Sequence, residues 1–202
     1  VFVPGSTGFI DARGLFGASA RRVVVPGDRV VPVPSTREPS QTCLFALAAT
    51  ALHAVRQTGL PELVVGHGVL GRLVARLTVA LGGAIPTVWE TNPARAGGGR
   101  EYRVVHPDKD TRKDYVRVCD VSGDSGILDA VIPRMEHNGE AVLAGFYSDP
   151  VQFRFPAAFQ REIRILVSAE WRREDLEAVS RMVERGHLSL DGLITHRAAA
   201  EA

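Results

Sequence analysis

The chain has 202 residues, 45% of them hydrophobic and 23% charged, enough to bury the core of one or two domains and too apolar for a disordered polymer. Twenty-four lysines and arginines against 23 aspartates and glutamates leave a net charge of +1, so no single-sign field is available to hold a nucleic-acid backbone or an acidic membrane. Cys43 and Cys119 stand far apart with no CxxC or Cys/His cluster, so neither a disulfide framework nor a metal site is readable, and the absence of a signal peptide and of any apolar run of about 18 residues points to a cytoplasmic chain without a membrane-spanning helix.

Val1-Phe2-Val3-Pro4-Gly5 reads as a strand entering a turn with no methionine before it. Arg197 to Ala202 reads as a helix with no stop signal, so the segment is expected to continue at both ends. Up to about residue 35, β-branched runs at Arg22–Val25 and Arg29–Val33 are separated by turn residues and predict short strands. From Thr42 to Thr58, Leu44, Leu47, Ala48, Ala51, Leu52 and Val55 recur at helical spacing up to Gly59. Leu63–Val65 predicts a strand, and Val69, Leu70, Leu73, Val74, Leu77 and Leu81 a helix. Strands follow at Thr87–Trp89, Tyr102–Val105 and Tyr115–Val121. A helix is expected to carry Ile127, Leu128, Val131, Ile132 and Met135 on one side, with Pro133 bending it. Ala141–Ala144 and Ile163–Val167 predict two more strands, Glu174–Arg185 a helix, and Leu193–Arg197 a closing strand. Alternating strands and helices imply an α/β fold with a doubly wound parallel sheet.

Gly66-His67-Gly68-Val69-Leu70-Gly71 stands between a predicted strand and a predicted helix, the context in which GxGxxG binds a dinucleotide. Gly66 serves the tight turn, Gly68 the approach of backbone to a pyrophosphate, and Gly71 the packing of helix on strand, while the amides at Val69 and Leu70 open the helix toward the anion. Glu90, 19 positions after Gly71, ends the second strand, where a carboxylate accepts from a ribose and repels a 2'-phosphate; NAD is favoured over NADP. The competing reading is the similar loop of S-adenosylmethionine-dependent methyltransferases. Ser122-Gly123 and Gly145-Phe146 follow later strands, where open α/β sheets place ligands, and are candidates to line the nicotinamide half. His67 occupies a variable position of the loop and is expected to face solvent. His53 is expected to pack or cap, His106, His137 and His187 to lie on the surface, and Cys119 to be buried.

These features together resemble the medium-chain dehydrogenase/reductase superfamily. The strings Pro61 to Leu73, Val88 to Arg95, Leu143 to Tyr147 and Leu188 to Arg197 are similar, more narrowly, to a family of dehydrogenases of bacteriochlorophyll synthesis. The resemblance implies that residues 1–35 are the tail of a GroES-like catalytic domain, 36–190 the NAD-binding Rossmann domain, and 191–202 the start of the return to the first domain. It further implies oxidation by NAD of the 3-(1-hydroxyethyl) group of a bacteriochlorophyllide, a tetrapyrrole, to 3-acetyl, and a possible homodimer. Phe146, Tyr147, Phe153, Phe155 and Phe159 could wall a flat macrocycle or serve as core packing. Zinc-binding members of the superfamily take their metal ligands mainly from the stretch that would precede residue 1, and the residue that accepts the hydroxyl proton is not legible. The alternatives are a quinone or enone reductase of the same superfamily and a non-catalytic NAD-sensing protein.

Overall fold

A computed structural model of the chain describes residues 24, 26–32, 38–99 and 101–197. Six strands, β1 (Leu63–Val65), β2 (Thr87–Trp89), β3 (Arg103–Val105), β4 (Tyr115–Asp120), β5 (Met135–Leu143) and β6 (Arg164–Val167), form one sheet in the order β3-β2-β1-β4-β5-β6. Every pairing is parallel. This is the doubly wound Rossmann order, and its direction reverses between β1 and β4.

The central strands β1 and β2 are short and apolar because both their faces are covered, whereas residues 136–138 of β5 are polar and exposed and β6 is largely exposed. Val64, Val88, Cys119 and Val142 point to one side, where α1 (Phe45–Thr58), α2 (Val69–Ala80) and α5 (Arg173–Glu184) pack. Their neighbours Leu63, Val65, Trp89, Val118, Ala141 and Leu143 point to the other, against α3 (Leu128–Val131) and α4 (Phe155–Arg161). The two-residue period of the strand backbone makes this division. Leu73 and Leu77 of α2 are fully buried, each stabilising the layer by about 1.5–3 kcal/mol.

The first helical layer is also held by a polar tie. Asp175 accepts the Arg172 amide at 2.9 Å, as the N3 residue of a capping box, and its carboxylate meets His53 Nδ1 at 2.9 Å and Arg56 Nη1 at 2.6 Å. His53 therefore packs as expected, joining α1 to α5.

Several elements differ from the sequence expectation. The helix expected to reach Met135 stops as α3 at Val131 and tightens into a 3-10 turn over Ile132–Arg134, because Pro133 has no amide proton to continue the ladder. Met135 instead opens β5, which begins ahead of the predicted Ala141 and absorbs a register shift opposite Tyr115 and Arg117. Helix α4 was absent from the prediction, although Pro156 in its first turn and the i, i+4 pair Phe155 and Phe159 are its signals.

The closing strand expected at Leu193–Arg197 has no strand conformation. Leu188, Leu190 and Leu193 are buried with α1 and α2, and the carbonyls of Ser189 and Asp191 accept from the Arg76 guanidinium rather than from a neighbouring strand. Of the strands expected before residue 36, Val1–Val3, Arg22–Val23 and Val25 lie outside the described residues; Gly27–Arg29 form a 3-10 turn and Val31 a single bridge. The predicted terminal helix beyond Arg197 also lies outside them.

Candidate functional site

The three glycines of the loop between β1 and α2 answer to three different constraints. Gly66 has φ +97°, and a Cβ there would sit 3.0 Å from Ser122 Cα. At Gly71 a Cβ would fall 1.8 Å from the Gly66 carbonyl oxygen. Gly68 has ordinary extended backbone, and a Cβ there would meet nothing within 4 Å. Among the described residues nothing therefore requires glycine at Gly68, and the space against its backbone is open to a ligand.

The first α2 hydrogen bond runs from the Arg72 amide to the Gly68 carbonyl at 3.0 Å. The Val69 and Leu70 amides precede it and have no acceptor within the helix. An open backbone floor followed by helix-end amides fits a pyrophosphate.

Glu90 directly follows β2 and reaches back to this loop. Its Oε2 accepts the His67 amide at 3.1 Å, and its Oε1 accepts the Asn92 amide at 2.7 Å. Beside it a cleft of about 650 Å³ opens between the ends of β2 and β3, lined by Thr91, Pro93, Val104, Val105 and His106. Its lining also carries Arg103 and Lys109, so apolar side chains stand between one carboxylate, Glu90, and two cations.

His67 does not face solvent. It is 1% exposed, with Nδ1 2.6 Å from the Arg95 carbonyl oxygen and Nε2 2.8 Å from the Tyr102 hydroxyl. A carbonyl only accepts, so Nδ1 carries the proton, and the neutral ring accepts the Tyr102 hydroxyl proton at Nε2. Burial pushes the His67 pKa down; the Arg95 carbonyl and Glu90 oppose this, while Arg72 and Arg76 reinforce it. Burial likewise raises Tyr102. The partners lie 28 and 35 positions away, which is why the local sequence carried no sign of them.

Val121 and Ser122, after β4, meet the glycine loop at the point where strand order reverses, and Gly145 to Tyr147, after β5, meet the β4 loop at Gly123. Cβ atoms at Gly123 and Gly145 would lie 3.0 Å from the Phe146 carbonyl oxygen and 3.1 Å from the Gly123 amide. The fold thus brings Gly66, Ser122, Gly123, Gly145 and Phe146 together at one edge.

Asp120 is buried behind them. Its Oδ1 accepts the Ser122 amide at 3.0 Å and its Oδ2 the Tyr147 hydroxyl. Burial raises the carboxyl pKa against those two bonds, and burial beside Asp120 raises the Tyr147 hydroxyl strongly. Phe146, by contrast, is 89% exposed. Phe153, Phe155 and Phe159 gather elsewhere, around an apolar groove with Ile163 and Ile165, so the five aromatics do not form one wall.

Among the described residues no group of three His, Cys, Asp or Glu side chains is placed to share a metal ion, and no helix is long and apolar enough to cross a membrane. His137, His187 and His196 are exposed, and His106 accepts the Asp108 amide at 3.3 Å to cap a turn. Cys119 is buried within β4, with its thiol pushed up to about 12 by burial and by Asp120.

No family model matches the chain. Its fold matches that of galactitol-1-phosphate dehydrogenase from Escherichia coli, with a TM-score of 0.75 at 18% identity over 89% of this chain and 59% of that one. It matches equally an acetophenone reductase from Geotrichum candidum solved with NAD, with a TM-score of 0.72 at 22% identity over 81% of this chain and 50% of that one. The six-stranded parallel α/β sheet is thus a fold shared with solved dehydrogenases.

In sequence the whole chain is 50% identical to 2-desacetyl-2-hydroxyethyl bacteriochlorophyllide A dehydrogenase of Rhodobacter capsulatus and 49% identical to the protein of the same name from Cereibacter sphaeroides. It spans 65% and 66% of the lengths of these two relatives.

Proposed function

We propose that this chain is the dinucleotide-binding part of a dehydrogenase that oxidises the 3-(1-hydroxyethyl) group of a bacteriochlorophyllide to 3-acetyl with NAD, in the cytoplasm. The observation that carries the reading is the 50% identity over the full chain to a dehydrogenase named for that substrate. The open floor at Gly68 supports the cofactor half of it.

In this reading residues 36–190 form the nucleotide domain, and the flanking segments belong to a GroES-like catalytic domain. The amides at Gly68, Val69 and Leu70 cradle the pyrophosphate, with Gly66 and Gly71 fixing the turn and the His67 amide held by Glu90. Glu90 accepts from the adenosine ribose, and its charge rejects the 2'-phosphate of NADP. Ser122, Gly123, Gly145 and Phe146 border the nicotinamide half. The nicotinamide, when bound, supplies the acceptor for the carbinol hydride. The protein's part is to orient that ring at the sheet edge and to exclude water from it. The hydroxyl proton leaves to a group that this site does not assign.

Self-association belongs to the same proposal. Strand β6 ends the sheet with Leu166 and Val167 exposed, and the exposed Phe155 and Phe159 of α4 line a groove with Ile163 and Ile165 next to it. An apolar sheet edge of this kind is a natural pairing surface, and sedimentation of the complete protein as a monomer would remove the homodimer from the reading.

The test of the function is an absorption time course on the complete protein with NAD and 3-hydroxyethyl bacteriochlorophyllide a. A red shift of the longest-wavelength band with matching NADH formation is expected, because the new carbonyl conjugates with the ring. Dinucleotide binding with no shift would overturn the pigment as substrate and leave a dehydrogenase of small alcohols.

A further inference from the structure

The loop that follows β2 is fastened to the phosphate loop by side chains that touch no part of the nucleotide site's open surface. The Arg95 carbonyl accepts both His67 Nδ1 at 2.6 Å and Arg72 Nη2 at 3.1 Å. The same Arg72 nitrogen donates to the Gly97 carbonyl at 2.9 Å, and Arg72 Nε to the His67 carbonyl at 3.2 Å. Tyr102, just before β3, backs the imidazole with its hydroxyl and stands edge-on to it, the two rings 5.4 Å apart at 82°.

Glu90 lies across the two segments so joined. One carboxylate oxygen takes its amide from the phosphate loop at His67, and the other takes its amide from the β2 loop at Asn92. If the segments separate, one of the two donors is lost and the carboxylate is free to turn away.

We propose that His67 and Tyr102 form a latch that sets the preference for NAD over NADP without contacting either, by keeping the two amides that orient Glu90 in register. The inference rests on the reading that Glu90 faces the ribose. Discrimination against a 2'-phosphate requires a carboxylate that cannot rotate out of the way, and such rejection is a matter of fixed geometry as much as of charge. A free carboxylate would retreat to solvent at little cost. The latch removes that escape, and because the pair is buried its bonds are not exchanged for water.

The experiment compares dissociation constants of NADH and NADPH, by nicotinamide fluorescence, for the complete wild-type protein and for Tyr102→Phe, His67→Phe and His67→Asn. Tyr102→Phe removes one hydroxyl and should reduce the NADH preference about threefold to tenfold, the equivalent of one hydrogen bond. His67→Phe should reduce it further, and His67→Asn, which keeps a donor for the Arg95 carbonyl, should restore most of it.

A residue that served only the stability of the loop would weaken both nucleotides by the same factor and leave the ratio untouched. An unchanged ratio in folded Tyr102→Phe therefore overturns the latch, even if His67→Phe fails to fold. Wild-type protein that binds neither nucleotide, or prefers NADPH, overturns instead the reading of Glu90 on which the latch rests.

Discussion

Gly71 lies so close to Gly66 that a Cβ on the first would stand 1.8 Å from the carbonyl oxygen of the second. Gly68, between them in sequence, has no neighbour within 4 Å of where its Cβ would be. The same substitution must therefore do opposite things at the two positions. Gly71→Ala should cost about 3 kcal/mol or more in chemical denaturation, because backbone cannot give way as a side chain does. Gly68→Val should leave the denaturation midpoint close to wild type while weakening NADH at least about tenfold. A folded Gly68→Val protein with wild-type affinity would remove the pyrophosphate from this loop.

Glu90→Ala should narrow the preference for NAD over NADP by roughly tenfold or more, through better NADPH binding as well as poorer NADH binding. Nucleotide titrations of both cofactors check it. If the NADPH constant stays where it was, the carboxylate does not border the 2'-position.

Asp120 makes a signed prediction for pH. Burial holds its folded pKa above the ordinary 3.8, so the folded state binds the proton more tightly than the unfolded chain does. Its favourable contribution is complete below 3.8 and is lost as pH rises through the folded value. Asp120→Asn cannot ionise, and its stability relative to wild type should therefore improve with rising pH across that window. Urea midpoints at several pH values measure this, and a constant difference would mean that Asp120 feels no burial.

The tie between α1 and α5 should show in stability alone. Asp175→Ala removes the capping-box carboxylate and the partner of His53 and Arg56, and should cost about 2 kcal/mol. Dinucleotide affinity, measured on the same protein, should be unchanged, since Asp175 lies on the helical layer and not at the sheet edge that carries the glycine loop.

Much of this fold was legible because its signals are local. The apolar runs at Leu63–Val65 and Thr87–Trp89 and the glycine spacing from Gly66 to Gly71 each specify a backbone conformation within a few residues, and β1, β2 and α2 form where those signals lie. The place of Glu90 just after β2 was legible for the same reason. Helix α3 was overextended because Met135 continues an apolar stripe whose helix Pro133 had already ended, and periodicity counts side chains without counting amide protons. The closing strand expected at Leu193–Arg197 failed for a further reason: a strand needs an open partner edge, and Leu193 is instead buried in the core with Leu188 and Leu190.

The sequence by itself thus determined the α/β alternation, the glycine turn between β1 and α2 and the acidic end of β2, all consequences of short-range backbone preference. Only the tertiary structure decided what surrounds them. It buried His67 and chose its tautomer by bringing up the Arg95 carbonyl and the Tyr102 hydroxyl, and it drew the loops after β1, β4 and β5 to one edge. It also split the aromatic residues between an exposed Phe146, a Tyr147 turned onto Asp120 and a separate groove at α4. These are contacts between residues tens of positions apart. A hydrogen bond or a buried surface at that separation depends on how the sheet is ordered, which no local pattern of residues records.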